Sequence, residues 1–256
     1  MNAPLIEIDV DIRTAEGLMN TLIVHPSTPG PFPVGLFFMD AAGRREELND
    51  MARRLASAGY YVILPNLYYR TLREFHMTWT DMGIQEMLRL MQTLNNGLVV
   101  KDTAALLEFL DKDPLVLSTE IGVVGYCMSG PFAIAAAAAY PNRVRAAASF
   151  HGTHLVTDNE DSPHLLAKRV EAEMYFGCAE DDKWADKETI AILSDALKTC
   201  HAPYHVEWYP RAKHGFVFPQ RLNVYDAASA ERHWDRLLSL FARRLTQKSG
   251  SPGLPT

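Results

Sequence analysis

Residues 122–130, Gly-Val-Val-Gly-Tyr-Cys-Met-Ser-Gly, run an apolar stretch into one cysteine held between glycines, and an apolar helical stretch, Pro131 to Ala139, follows at once. This places a thiol on a sharp strand-to-helix bend. Such a bend brings backbone close to backbone, which is why positions 125 and 130 carry no side chain. A sulfur at a helix N-terminus faces free N–H groups and the positive end of the helix dipole, and both favour the attacking thiolate. A thiol nucleophile also needs a base, and the base needs an acid to orient it.

Residues of these types follow downstream. The strand-like run Glu173 to Phe176 leads through Cys178 into Glu180-Asp181-Asp182, where either aspartate is a candidate acid and capping of the next helix is the plainer reading of both. The run His205 to Tyr209 leads into Lys213-His214-Gly215-Phe216, and of nine histidines His214 alone lies in a His-Gly-Phe turn after the last strand. His151 and His154, which follow Val144 to Phe150, are candidates for the wall of the same cleft, and Phe216 is a candidate substrate contact.

The elements that must position these residues are legible from hydrophobic period. Ile6, Ile8, Val10 and Ile12 alternate with acids, and Ala15-Glu16-Gly17 turns the chain back into Leu18 to Val24, which predicts a half-buried antiparallel edge hairpin. From Val34 to Phe38 onward, short apolar runs alternate with helical spacings. Leu48, Met51, Ala52 and Leu55 form a helix stopped by Gly59, Tyr60 to Leu64 is a strand, and Ile190 to Leu197 and Trp234, Leu237, Leu238, Phe241 and Leu245 mark later helices. This alternation predicts a mostly parallel central sheet with helices on both faces. The elbow, with nucleophile, acid and histidine in that chain order, is the pattern of the α/β-hydrolase fold. Between Leu67 and Val100 the alternation gives way to aromatics and methionines. Ile84, Met87, Leu88 and Met91 have the spacing of a helix packed on the sheet, which leaves loop aromatics such as Tyr68 and Trp79 as pocket candidates.

The bulk properties narrow the function classes. A chain of 256 residues with 48% apolar and 22% charged residues suits one domain over residues 1–246, followed by a tail, 247–256, too poor in apolar residues to order itself. The net charge of −6 gives no basic footprint for nucleic acid, no run reaches the roughly 20 apolar residues of a membrane helix, and the first residues resemble no secretion signal, so a cytoplasmic address is expected. Three cysteines without CxxC spacing support neither a disulfide framework nor a zinc site, and no cofactor or metal is expected. The expected partner is a small molecule, bound by a monomer or homodimer.

The motif Gly125-Tyr126-Cys127-Met128-Ser129-Gly130, the acid loop, His214-Gly215-Phe216, the run into Met39-Asp40-Ala41-Ala42-Gly43 and the stretch Ala52 to Arg70 together resemble the dienelactone hydrolase (carboxymethylenebutenolidase) family, over most of the chain. The resemblance implies Cys127 as nucleophile, Asp182 rather than Asp181 as orienting acid, because Asp182-Lys183-Trp184 fits the family's acid loop better, and His214 as base. It implies backbone N–H groups of Met128 and Ala41 as oxyanion donors, and it sets Asp40 where the family carries a glutamate that touches the resting thiol. Ser129 stands where the family has glycine, and Phe216-Val217-Phe218 stands where it has a substrate-clamping arginine, with Arg221 farther on. The expected activity is therefore cofactor-independent opening of small lactones or carboxylic esters through a cysteinyl thioester. Related alternatives are a thioesterase or aryl esterase on the same scaffold, and a non-catalytic binding protein.

Overall fold

Alternating apolar runs bury their backbones most completely in the interior of a sheet, and the computed structural model, which describes residues 4–245, builds eight strands on that rule. They are β1 (Leu5–Thr14), β2 (Gly17–Pro26), β3 (Phe32–Phe38), β4 (Tyr61–Pro65), β5 (Val116–Tyr126), β6 (Val144–Phe150), β7 (Glu173–Asp181) and β8 (Tyr204–Lys213). Their order across the sheet is β1-β2-β4-β3-β5-β6-β7-β8. The first two strands form the antiparallel hairpin, β2 joins β4 antiparallel, and every pairing from β4 to β8 is parallel. The expected tail, 247–256, lies outside the described residues.

Helices α1 (Glu46–Ser57) and α7 (Ala227–Arg244) share one face, where Leu55 and Phe241 both close on Gly35 of β3. On the other face lie α3 (Asn96–Leu110), α4 (Gly130–Ala139) and α6 (Lys187–Leu197), which complete the α/β-hydrolase architecture. Helix α4 is buried from Gly130 to Ala138, so it has no amphipathic face to display, whereas α1 buries Leu48, Met51, Ala52 and Leu55 as its spacing predicts and ends at Gly59, which takes the left-handed φ of 99°. Helix α3, which packs on α4 and β1, is not foreshadowed by the alternation pattern. Among the described residues, no helix is long and apolar enough to cross a membrane.

Two expectations need correction. Only the second half of β1 is buried: Val10 and Ile12 turn inward, while Ile6 and Ile8 are 40% and 44% exposed, because β1 is the outermost strand and no helix covers its start. The stripe Ile84, Met87, Leu88 and Met91 does form a helix, α2 (Asp81–Met91), but that helix does not lie on the sheet. Leu90 is its sole buried residue, and Met87, Leu88 and Met91 face a cavity instead. Periodicity reports that apolar residues share a face; it does not report what covers them.

The sheet positions its strand ends by register. Phe38 at the end of β3 pairs with Gly125 at the end of β5, and chain order reverses at this point, with β4 on one side of β3 and β5 on the other. Open α/β sheets leave a crevice at such a reversal, at the carboxyl ends of the strands. Ser129 ties the two ends together. Its fully buried hydroxyl accepts the Tyr126 N–H at 2.8 Å and donates toward the carbonyl oxygens of Tyr126 at 3.0 Å and Phe38 at 3.2 Å. Ser129→Ala leaves the buried Tyr126 N–H without its acceptor, so we expect chemical denaturation to show a loss of about 1–3 kcal/mol; a change below about 0.5 kcal/mol would mean that this hydroxyl does not hold the elbow.

Candidate active site

Cys127 adopts a φ of 54°, in the left-handed region that residues with a side chain seldom occupy. The surroundings enforce it. A Cβ at Gly125 would overlap the carbonyl oxygen of Ser129, and one at Gly130 would overlap Ser149 Oγ and lie 2.6 Å from Gly152 Cα, so only glycine permits the chain to fold back so tightly on either side of the thiol. The single 3₁₀ turn Cys127–Ser129 leads directly into α4, and Cys127 keeps 8% exposure at the floor of a cavity of about 520 Å³.

Sheet geometry brings the other two residues to this point. Asp182 follows β7, and His214 follows β8 in a turn that Gly215 closes at φ 89°. His214 Nδ1 meets Asp182 Oδ2 at 2.7 Å, while Asp182 Oδ1 accepts the Trp184 N–H at 2.9 Å, so both oxygens of this buried carboxylate are used. Asp181, the alternative acid, is exposed. His214 also interacts with the Cys127 sulfur. Burial alone would depress the imidazole, but the sulfur of Cys127 and the Asp182 carboxylate outweigh burial and raise the His214 pKa to about 10. The other two thiols have no such partner. Burial pushes Cys178 up to about 12 and also raises Cys200.

The N–H groups of Ala41 and Met128 have no hydrogen-bond partner among the described residues, and both residues line the cavity beside Cys127. Tyr68 sits behind them. Its hydroxyl donates to the Ala41 carbonyl at 2.9 Å and lies 3.4 Å from Met128 Sδ, so one buried side chain fixes both segments.

Several expected contacts are placed differently. Asp40 does not touch the thiol: its Oδ1 takes Arg45 at 2.5 Å and its Oδ2 takes Arg221 at 2.6 Å, because two guanidiniums reach the buried carboxylate from either side. Tyr68 and Phe216, 1% and 0% exposed, belong to the core and not to the cavity wall. His151 is likewise buried, edge-on to His214 with centroids 4.9 Å apart, and both its ring nitrogens lack partners. Burial, reinforced by the nearby charges of His214 and Arg221, holds His151 far below the ordinary histidine pKa, so it is a neutral ring braced against His214. Of the four candidate substrate contacts, Trp79 alone lines the cavity, and His154 lines it where His151 does not.

Sequence spacing set Arg221 farther along the chain and gave no sign that it returns to the cavity. Successive turns, with Phe218 N–H on Gly215 O and Arg221 N–H on Phe218 O, fold the chain back after His214 and return this guanidinium to the cavity wall. Among the described residues no three His, Cys, Asp or Glu side chains are grouped so that they could hold a metal ion.

The model of the dienelactone hydrolase family matches residues 19–245. A carboxymethylenebutenolidase of Rhodococcus opacus is 28% identical over 204 residues, covering 78% of this chain and 77% of its own. Among solved structures, the chain resembles a dienelactone hydrolase-like promiscuous phosphotriesterase from metagenomic libraries (TM-score 0.78, 20% identity, 94% of this chain and 99% of that one). It also resembles a dienelactone hydrolase from Anabaena variabilis (TM-score 0.70, 20% identity, the same coverage).

Because its folded pKa lies above the ordinary histidine value, His214 stays protonated as pH rises past 6.5; the stability given by its charged contacts is complete below that pH and is lost as pH rises through about 10. Imidazole NMR should show one histidine titrating near 10, and Cys127→Ala should lower that midpoint because the sulfur is the largest contribution raising it. A His214 midpoint near 6.5 in the parent protein would refute this electrostatic picture.

Proposed function

The chain belongs to the dienelactone hydrolase family and is a hydrolase of carboxylic esters or lactones; we propose that it works through a cysteine nucleophile and a thioester acyl-enzyme. The observation that carries this reading is the line Asp182, His214, Cys127, in which one imidazole is hydrogen-bonded to a buried carboxylate and interacts electrostatically with a thiol on a strained bend.

In the proposed cycle the Cys127 sulfur attacks the ester carbonyl while His214 is held as the imidazolium by Asp182. The developing oxyanion is received by the N–H groups of Met128 and Ala41, whose lack of other partners supports that role. Collapse forms the thioester and breaks the ester C–O bond, and His214 gives its proton to the departing oxygen. Neutral His214 then takes a proton from water, the hydroxide adds to the thioester carbonyl, and collapse releases the carboxylic acid and restores the thiolate–imidazolium pair. Water and ester are consumed, and acid and alcohol are formed; in a lactone these stay on one molecule. A thiolate leaves a tetrahedral intermediate easily, so substrates with good leaving groups, such as enol lactones and aryl esters, suit it and amides do not.

Asp40 adjusts no proton in this scheme. Its partners give it a structural task at the end of β3, next to Ala41, and Ser129 likewise has hydrogen bonds that account for it, so neither departure from the family pattern favours a non-catalytic scaffold.

Cys127→Ala should lower turnover of 4-nitrophenyl esters by at least about 10³-fold, with loss of a burst of nitrophenol equal to the enzyme concentration. Retained turnover in that variant would refute the nucleophile. Tyr68→Phe frees the Ala41 carbonyl and loosens both proposed oxyanion donors, so kcat should fall about tenfold or more with KM held within about twofold; a change confined to KM would make Tyr68 a binding residue instead.

A further inference from the structure

The charge balance of the cavity wall points to the kind of ester it takes, an inference that rests on the hydrolase reading above. We propose that the substrate is an uncharged ester or lactone bearing an extended apolar arm, which lies against α2, and that carboxylated substrates of the same size are disfavoured.

Arg221 is the guanidinium in the cavity wall, yet it brings no surplus charge. It shares Asp40 with Arg45, and Arg45 is also paired with Glu47 at 2.5 Å. Asp40 and Glu47 are 0% and 4% exposed, so the set is two guanidiniums against two buried carboxylates and sums to zero. The flanks of Arg221 are occupied too, since its guanidinium lies 4.9 Å from the Trp79 ring centroid and 4.7 Å from that of Phe218. A substrate carboxylate brought to its remaining N–H groups would stand within a few ångströms of Asp40, which is anchored by Arg45 and unable to withdraw. The Cys127–His214 pair also sums to zero, whether the proton sits on sulfur or on the imidazole. Asp161 lines the cavity with no cation against its carboxylate among the described residues, so it repels a second anion. An entering carboxylate therefore loses hydration without a net coulombic return.

The apolar wall calls for the opposite kind of ligand. Met87, Leu88 and Met91 of α2 face Phe132, Trp79 and Trp184 across about 520 Å³, a volume in the range of pockets that enclose drug-sized ligands. Leu88, Trp184 and Trp79 are 40%, 47% and 59% exposed, while Met87 and Met91 are only partly buried against the core. An alkyl or aryl arm would cover these residues, and the methionines can adapt to its outline.

The test is a matched series in the full-length protein: 4-nitrophenyl acetate, 4-nitrophenyl hexanoate and mono-4-nitrophenyl glutarate, which carries a carboxylate at the end of an arm of nearly the same size. We expect kcat/KM for hexanoate to exceed that for acetate by about tenfold or more, and that for the glutarate by at least as much. Met91→Asp should shrink the hexanoate-to-acetate ratio by about fivefold or more by placing a charge on the arm's path. Preference for the glutarate, or a hexanoate-to-acetate ratio near one, would overturn the inference. Calorimetry on Cys127→Ala with hexananilide and glutaranilic acid separates this from the catalytic reading. Tighter binding of hexananilide upholds the inference whatever the nucleophile proves to be, and tighter binding of the acid refutes it.

Discussion

The backbone bend at Cys127 is the constraint on which the rest of the site depends. A non-glycine residue held at φ 54° is unfavourable in isolation and persists only where its neighbours leave the chain no other course. Here the neighbours are identifiable. Gly125 and Gly130 permit the close approach, Ser129 joins the ends of β3 and β5, and α4, buried along nearly its whole length, cannot shift to relieve the bend. The result is a sulfur at a helix N-terminus, aimed into the crevice where the strand order reverses.

Charges around that sulfur are arranged in closed groups. Asp182 is saturated by His214 and the Trp184 N–H, and Asp40 by two arginines. Between them stands His151, a neutral imidazole whose burial is the main reason it carries no charge and whose ring supports the face of His214. A second imidazolium at that position would repel the one that the thiol and Asp182 favour. Placing an uncharged ring there keeps a single protonated histidine in the site.

Helix α2 shows how an amphipathic pattern can serve a ligand in place of a core. Its methionines and leucine have the spacing of a packing face, and a face of that kind ordinarily closes on a sheet. In this fold the sheet beneath is already covered by α3 and α4, so the stripe is left to wall a cavity whose floor is Cys127.

By itself the sequence determined most of the elements, though not α3, and the chain order of the candidate residues. Period-two and apolar runs defined the strands, the glycines around Cys127 defined the elbow, and the order cysteine, aspartate, histidine followed from local motifs, because each of these is written in residues close together in the chain. Tertiary structure decided whatever depends on which distant groups meet. It selected Asp182 over Asp181 as the partner of His214, turned Asp40 from the thiol toward Arg45 and Arg221, buried His151, Tyr68 and Phe216, and brought Arg221 back to the cavity. A side chain's pattern in the sequence gives its propensity and its face, whereas its hydrogen bonds, its charge and its access to substrate are set by neighbours supplied from other parts of the chain.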